Sequence, residues 1–348
     1  VNQIISLLLK SGARMATNGE FSSRAYLNGK IDLVQAEGIN DMINATTAEA
    51  KDLSMASLLG KTSEIFKPIK DEIAEILSHI EVNIDYPEYE DIEVISREEI
   101  IEKCTKITEE LQKLINQGES ELIYKEGVKI AIVGKPNVGK SSILNAFLKE
   151  DKAIVTDIAG TTRDSVEGDY NLGGVPVHFF DTAGLHESED VIEKIGIDKA
   201  KKAIEDADLI LFVIDQTGID EKLFSLIKDK KHILVQNKAD LGININKDYI
   251  YVSAKNNDLE KLVLKMKEVL EIGEVTIKPS FNNTRQLGIL KNIVSFLNVA
   301  IEDAKANQPT DLISVNIMSA YNAALDLTGE NNKNDLTDEI FSRFCVGK

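Results

Sequence analysis

Apolar positions follow a helical period at both ends of the chain and a pattern of short buried runs between them. An apolar stretch from Ile4 to Leu9 leads into the polar, glycine-containing segment Ser11 to Ser23. Ala25 to Thr47 then sets Leu33, Ala36, Ile39 or Asn40, and Ile43 at helical spacing. A narrower stripe, Leu58, Ile65, Ile69, Ile73, Ile76 or Leu77, Ile80 and Ile84, predicts a bundle helix, with a kink or break at Pro68. Tyr86-Pro87-Glu88 ends this run, and acidic Glu88 to Glu93 is expected to be a solvated loop. Ser96 and Glu99 form a capping box ahead of Ile100, Cys104, Ile107, Leu111 and Leu114, a stripe on which Cys104 reads as a small buried apolar residue.

Beyond Gly118 to Gly127 the pattern changes. Val128 to Val133, Val166 to Asn171, Val175 to Phe180, Asp208 to Ile214, His232 to Gln236 and Tyr249 to Val252 read as strands separated by helices, the sign of a parallel α/β sheet. Near Val275 to Pro279 the alternation stops, and Ser280 to Ala304 and Asp311 to Leu327 return to helical spacing. The economical reading is one all-α helical domain built from residues 1–125 and 276–348, with an α/β domain, residues 126–275, inserted into it. Two separate small helical domains are the alternative.

Composition narrows the function classes. The 348 residues, 43% hydrophobic, provide for a large core. Two distant cysteines, Cys104 and Cys345, make no disulfide framework, and four scattered histidines suggest no zinc site. A net charge of −18 argues against an electrostatic grip on nucleic acid by the chain as a whole, so RNA contact needs a local basic patch or a basic partner. No run approaches the ~20 apolar residues of a membrane span, and no signal-peptide pattern opens the chain, so a soluble protein is expected. It begins at Val1 in mid-pattern, which suggests a fragment or processed product.

The chemistry centres on Gly134-Lys135-Pro136-Asn137-Val138-Gly139-Lys140-Ser141, between a buried strand and a helix opening at Ser142. In that setting it is a phosphate-binding loop. Backbone N–H groups and the helix dipole face the phosphates, Lys140 adds a charge toward the β/γ oxygens, and the Ser141 hydroxyl can bind Mg²⁺. Asn237-Lys238-Ala239-Asp240 follows the strand His232 to Gln236, and the Asp240 carboxylate can accept from the ring N–H and exocyclic amine of guanine, a donor pair adenine lacks. Ser253-Ala254-Lys255 can offer backbone N–H to the guanine carbonyl. Asp181-Thr182-Ala183-Gly184 puts a carboxylate near the Mg²⁺ shell and a glycine N–H near the γ-phosphate. Together, in this order and each at a strand end, these segments predict a GTPase. Leu185 stands where Ras-like GTPases carry a water-orienting glutamine, so the catalytic polar group must come from elsewhere.

Gly160-Thr161-Thr162-Arg163-Asp164, Asp181 to Leu185, Gly19-Glu20-Phe21-Ser22, Arg24 to Lys30, and the C-terminal Phe341-Ser342-Arg343-Phe344-Cys345-Val346-Gly347-Lys348 give the chain a specific likeness. It resembles the MnmE (TrmE) family of tRNA-modification GTPases over essentially its whole length, with most of the family's N-terminal folate-binding domain lacking. The resemblance implies a Ras-like P-loop GTPase domain inserted in a helical domain. It also implies a cytoplasmic bacterial homodimer with transient pairing of G domains, and joint action with the flavoprotein MnmG on the wobble uridine of certain tRNAs, with tetrahydrofolate supplying one carbon.

By the same resemblance Glu193 organises the attacking water, and Thr162 closes on Mg²⁺. K⁺ lies near the phosphates, held by Asn137 and by main-chain groups of Thr156, Ile158 and Thr161. Lys30 and Lys348 match positions that touch folate. Cys345 is either a nucleophile or a packed, site-lining residue. Two features depart from the family's pattern: His186 where many relatives have arginine, and the asparagine-rich segment 329–334. A related ribosome-assembly GTPase and a GTP-regulated scaffold without significant turnover are the rival readings.

Overall fold

The apolar pattern is realised in a computed structural model that describes residues 2–85, 95–149, 168–181, 204–242, 246–273, 278–331, 340–342 and 344. In chain order its elements are α1 (Asn2–Lys10), α2 (Glu20–Leu27), α3 (Leu33–Asn44), α4 (Ala48–Leu58), α5 (Lys61–Asp85), α6 (Arg97–Glu126), β1 (Val128–Gly134), α7 (Lys140–Lys149), β2 (Gly168–Leu172), β3 (Val175–Asp181), β4 (Leu209–Ile214), α8 (Glu221–Ser225), β5 (His232–Gln236), β6 (Tyr249–Tyr251), α9 (Glu260–Val269), α10 (Thr284–Lys305) and α11 (Thr310–Thr328). The chain divides into two units. One comprises Val1–Ala45, Lys51–Leu122 and Ile277–Lys348; the other comprises Thr46–Ala50 and Ile123–Thr276.

The largest apolar core of the helical unit, among the described residues, is one in which Ile69, Ile73, Ile76 and Ile80 of α5 meet Cys104, Ile107 and Leu111 of α6, Leu290, Ile293 and Leu297 of α10, and Ile313 and Ile317 of α11. Such burial stabilises by about 1.5–3 kcal/mol per large side chain. Cys104 is fully buried as its spacing predicts, and desolvation pushes its thiol up to about 12, which makes it inert. The capping box is present: Glu99 N–H donates to Ser96 Oγ at 3.1 Å and Ser96 N–H to Glu99 Oε2 at 3.0 Å.

Several helical expectations need correction. Pro68 does not break α5, because Phe66, Ile69 and Ile73 on either side of it are buried in the core, and that packing offsets the lost hydrogen bond. Leu58 ends α4 and Ile84 is 38% exposed, so the buried stripe of α5 is shorter than its sequence spacing suggests. The helix before β1 also runs on through Gly118. A side chain there would place Cβ 2.0 Å from the Phe281 carbonyl oxygen, so this glycine marks a close backbone approach and not a helix end.

In the second unit the described strands form a six-stranded sheet in the order β2-β3-β1-β4-β5-β6. β1 pairs in parallel with β3 and β4, as do β4 with β5 and β5 with β6. The expectation of a fully parallel sheet fails at one edge, where β2 is antiparallel to β3. The cause is local: only Gly173 and Gly174 separate the two strands. Both adopt positive φ, +65° and +95°, the backbone of a two-residue hairpin. β4 is buried along its whole length, and β1 at all but Lys129. The acidic loop 88–93 lies outside the described residues.

Candidate nucleotide-binding site

Parallel pairing sends the carboxyl ends of β1, β3, β4, β5 and β6 to one edge of the sheet, where an open α/β fold presents its ligand-binding loops. Gly134 ends β1 so close to β4 that a Cβ would lie 2.2 Å from the Val213 carbonyl oxygen. The loop then turns through Asn137, at φ 63°, and Gly139, at φ 94°, before Lys140 opens α7. Lys140 is 6% exposed, and its ammonium donates to the carbonyls of Gly134 and Lys135, both at 3.0 Å. The cation is thereby held over the loop's own backbone, where phosphate oxygens can replace the two carbonyls. Asn137, Ser141 and Ser142 are exposed, and Val138 is buried beneath them.

The second loop is tied to the first. Asn237, nearly fully buried after β5, donates through Nδ2 to the carbonyls of Val138 at 3.0 Å and Gly139 at 3.3 Å. Its Oδ1 accepts from the Ala254 N–H at 3.2 Å. A Cβ on residue 139 would sit 2.2 Å from that Nδ2, so a glycine is required there for this contact as well as for its backbone angle. Lys238, itself at φ 58°, donates to the Asn137 carbonyl at 2.7 Å and to Asp215 Oδ2 at 2.9 Å. Asp240 and Lys255 are exposed at the edge, and Ser253 Oγ donates to Asp240 Oδ1 at 2.8 Å. Among the described residues the Asp240 carboxylate accepts this one hydrogen bond, and a carboxylate can accept several.

Asp215 was not among the residues singled out by sequence. Its other oxygen accepts from the Thr217 N–H at 3.0 Å and hydroxyl at 2.7 Å. Burial alone pushes this carboxyl upward, but the bonds from Thr217 and Lys238 more than offset that and hold it at about 2. The available signal was positional: Asp215-Gln216-Thr217-Gly218 directly follows the fully apolar β4 at the same sheet edge. Gln216 joins the arrangement by donating to the Lys238 and Gly242 carbonyls at 3.0 and 3.2 Å.

The structure therefore brings together Asn137, Val138, Gly139, Lys140, Asn237, Lys238, Asp240, Ser253 and Ala254, with Ser141 and Ser142 on the first turn of α7. Asp181 ends β3 opposite Ile132 of β1. Lys30 belongs to the helical unit and is exposed. Thr156, Ile158, Thr161, Thr162, Gly184, Leu185, His186, Glu193, Cys345 and Lys348 lie outside the described residues.

A family model described as the MnmE helical domain matches residues 33–345. The chain belongs to the MnmE family. It is 41% identical to the tRNA modification GTPase MnmE of Lactococcus lactis subsp. lactis over 99% of this chain and 79% of that relative. Identity to the MnmE of Mycoplasma mycoides subsp. mycoides is 40%, covering 100% of this chain and 80% of the relative. Among solved structures, Aquifex aeolicus Era bound to GDP and AlF4⁻ is similar at 30% identity over 49% of this chain and 66% of that one, with a TM-score of 0.34. The sheet unit is the part of the chain that resembles a G domain; in it Lys238 joins the loop after β5 to the glycine-rich loop through the Asn137 carbonyl and to the end of β4 through Asp215.

Proposed function

We propose that this MnmE-family chain is a GTP phosphohydrolase whose nucleotide cycle serves modification of the tRNA wobble uridine, performed jointly with the flavoprotein MnmG. One observation carries the GTPase reading: Lys140 and Asp240 stand at one sheet edge on two loops that Asn237 and Lys238 bond to each other. A ligand whose phosphates meet Lys140 and whose base meets Asp240 would engage both loops at once. Guanine fits because the Asp240 carboxylate can accept from two adjacent N–H groups. The tRNA reading rests on the family and on the names of its relatives.

The donor set suits magnesium. Ser141 at the start of α7 and Asp181, the last residue of β3, are residue types that would offer the hard oxygen ligands that ion takes, alongside phosphate oxygens. When bound, Mg²⁺ supplies charge to the β/γ oxygens; Lys140 neutralises the same region, and the N–H groups of α7's first turn orient it. Asn137, exposed and turned through φ 63°, offers a neutral amide oxygen suited to K⁺, with Thr156, Ile158 and Thr161 as the further ligands in this reading. Thr162 would close on Mg²⁺ with Gly184 at the γ-phosphate, and Glu193 would orient the water that Leu185 cannot. Pairing of two G domains would order these segments. Lys30 and Lys348 would hold folate, and Cys345 would line the modification site.

GTP turnover measured in KCl and NaCl at matched ionic strength over a range of protein concentrations tests the hydrolase. Activity should be higher in K⁺, rise with concentration, and lose its K⁺ dependence in Asn137→Ala. Absence of turnover in either salt would favour the scaffold reading. Wobble-nucleoside analysis in a deletion strain complemented by the intact protein tests the tRNA role, and unchanged nucleosides on deletion would favour the ribosome-assembly reading.

A further inference from the structure

Asn237 and Lys238 bond the loop after β5 to the phosphate loop, but the turn that carries Asp240 has a support of its own. Ala239–Leu241 form a single 3₁₀ turn. The chain enters it through Lys238 at φ 58° and leaves it through Gly242 at φ 142°, both in backbone regions that residues with a side chain rarely occupy. Within the turn the Leu241 N–H donates to the Lys238 carbonyl at 2.9 Å, and the Gly242 N–H reaches the Ala239 carbonyl only at 3.4 Å. Asp240 at its centre is exposed, and Leu241 beside it is 73% exposed, so the turn draws little from burial. Uncommon backbone of this kind persists only where neighbouring groups fix it.

Two glutamines do the fixing. Gln216, just after β4, directs the two hydrogens of its Nε2 to the two ends of the turn, the Lys238 carbonyl at 3.0 Å and the Gly242 carbonyl at 3.2 Å. One amide group thereby ties together the two residues that flank Ala239–Leu241. Gln236, the last residue of β5 and fully buried, donates from Nε2 to the same Gly242 carbonyl at 3.1 Å. The far end of the turn is therefore held from the ends of two neighbouring parallel strands. Neither of these carbonyls belongs to the phosphate loop. The grip bears on Asp240 and the base it would read, not on Lys140 and the phosphates.

We propose that Gln216, supported by Gln236, is a specificity-determining positioning residue: it clamps the turn so that the Asp240 carboxylate meets the exocyclic amine of guanine as well as its ring N–H. The inference deepens the guanine reading of Asp240 given above and rests on it. A carboxylate on a turn free to shift still finds one donor, whereas meeting two adjacent donors with two oxygens demands a fixed approach. Loss of the clamp is felt as lost discrimination, while the phosphates still hold the nucleotide.

The test compares GDP with IDP, whose base lacks only the exocyclic amine, in competition titrations on the full chain. Wild type should prefer GDP by about tenfold to a hundredfold, the worth of a hydrogen bond to a charged acceptor. Gln216→Met keeps the length of an exposed side chain and removes both donors. It should lose GDP affinity far more than IDP affinity, bringing the preference down to about threefold. Gln216→Met combined with Gln236→Met should bring it close to that of Asp240→Ala. Wild-type preference in both the single and the double variant would overturn the proposal. An equal loss of GDP and IDP affinity would overturn it too, because a residue that merely supports the loop weakens both alike. If Asp240→Ala loses the preference while Gln216→Met keeps it, the clamp alone fails. If wild type shows no preference, or Asp240→Ala retains it, the base-reading role of Asp240 fails and the clamp with it.

Discussion

The two units each contain a polar network, and the networks are built on opposite terms. In the helical unit Glu37 of α3 is buried and accepts from Arg285 at 2.6 and 2.9 Å and from Gln286 at 2.7 Å. Arg285 also donates to the carbonyls of Asp326 and Leu327 in the last turn of α11, at 3.3 and 3.2 Å. Both carboxylate oxygens are occupied, and the one orphaned buried atom in this cluster, among the described residues, is Gln286 Oε1. At the nucleotide edge, by contrast, the Lys140 ammonium donates to the loop carbonyls of Gly134 and Lys135, and Asp240 is exposed and accepts from Ser253. A structural network turns its polar groups inward until they are used up. In the proposed nucleotide site, Asn237, Lys238 and Asp215 are bonded to neighbouring loops, while Asp240 is exposed.

That contrast predicts where mutations are felt. Glu37→Ala should have the largest effect, because it strands the Arg285 guanidinium in a largely buried position. A loss of about 3–5 kcal/mol is expected in urea unfolding, with nucleotide affinity of the remaining folded protein unchanged. A loss below about 1 kcal/mol would mean that water already screens the pair.

Asp240→Asn should do the reverse, leaving unfolding unchanged while lowering the preference for GTP over XTP by about a hundredfold or more. An amide presents one acceptor oxygen and an NH₂ that opposes the guanine donors. Competition titrations with the two nucleotides measure it, and an unchanged ratio would remove Asp240 from base reading.

Asp215→Asn probes a residue that belongs to both categories, since it is structural in itself and functional through Lys238. Its carboxyl is held at about 2, below its usual range, so its contribution to stability is present above about pH 4 and is lost as pH falls through 2. The amide variant should lose about 1–2 kcal/mol at neutral pH, lack that acid-side slope in unfolding titrations, and bind guanine nucleotides more weakly. A slope identical to wild type would place the acid sensitivity in other carboxylates.

The smallest effect expected is from Ser96→Ala, far from either network. Removing one half of the capping box at the start of α6 should cost about 1 kcal/mol in thermal unfolding and nothing in turnover.

The nucleotide edge was legible in the sequence to the degree that its chemistry is local. Gly134 to Ser141 and Asn237 to Asp240 are short segments in which spacing, glycine content and the preceding apolar strand already imply loops at a sheet edge. The helical period likewise exposed Cys104 as a core residue and Ser96 with Glu99 as a cap. Glu37 and Arg285 gave no such sign, because 248 positions separate them and each alone reads as a solvated helix charge. The antiparallel β2 was visible in principle through Gly173-Gly174, but the surrounding strand-helix alternation outweighed it.

By itself the sequence determined what depends on neighbours along the chain: the strand and helix periods, the glycine-rich turn between β1 and α7, and the cap. Tertiary structure alone decided what depends on neighbours across it. Packing on both sides carried α5 through Pro68, and a carbonyl pressed against Gly118 made that glycine a contact within a helix. Asp215 acquired its role only when parallel pairing set the ends of β4 and β5 side by side. The physical reason is the range of the forces involved. Backbone preference and hydrogen bonding within a turn act over a few residues, whereas burial and ion pairing depend on distance in space, which the order of residues does not record.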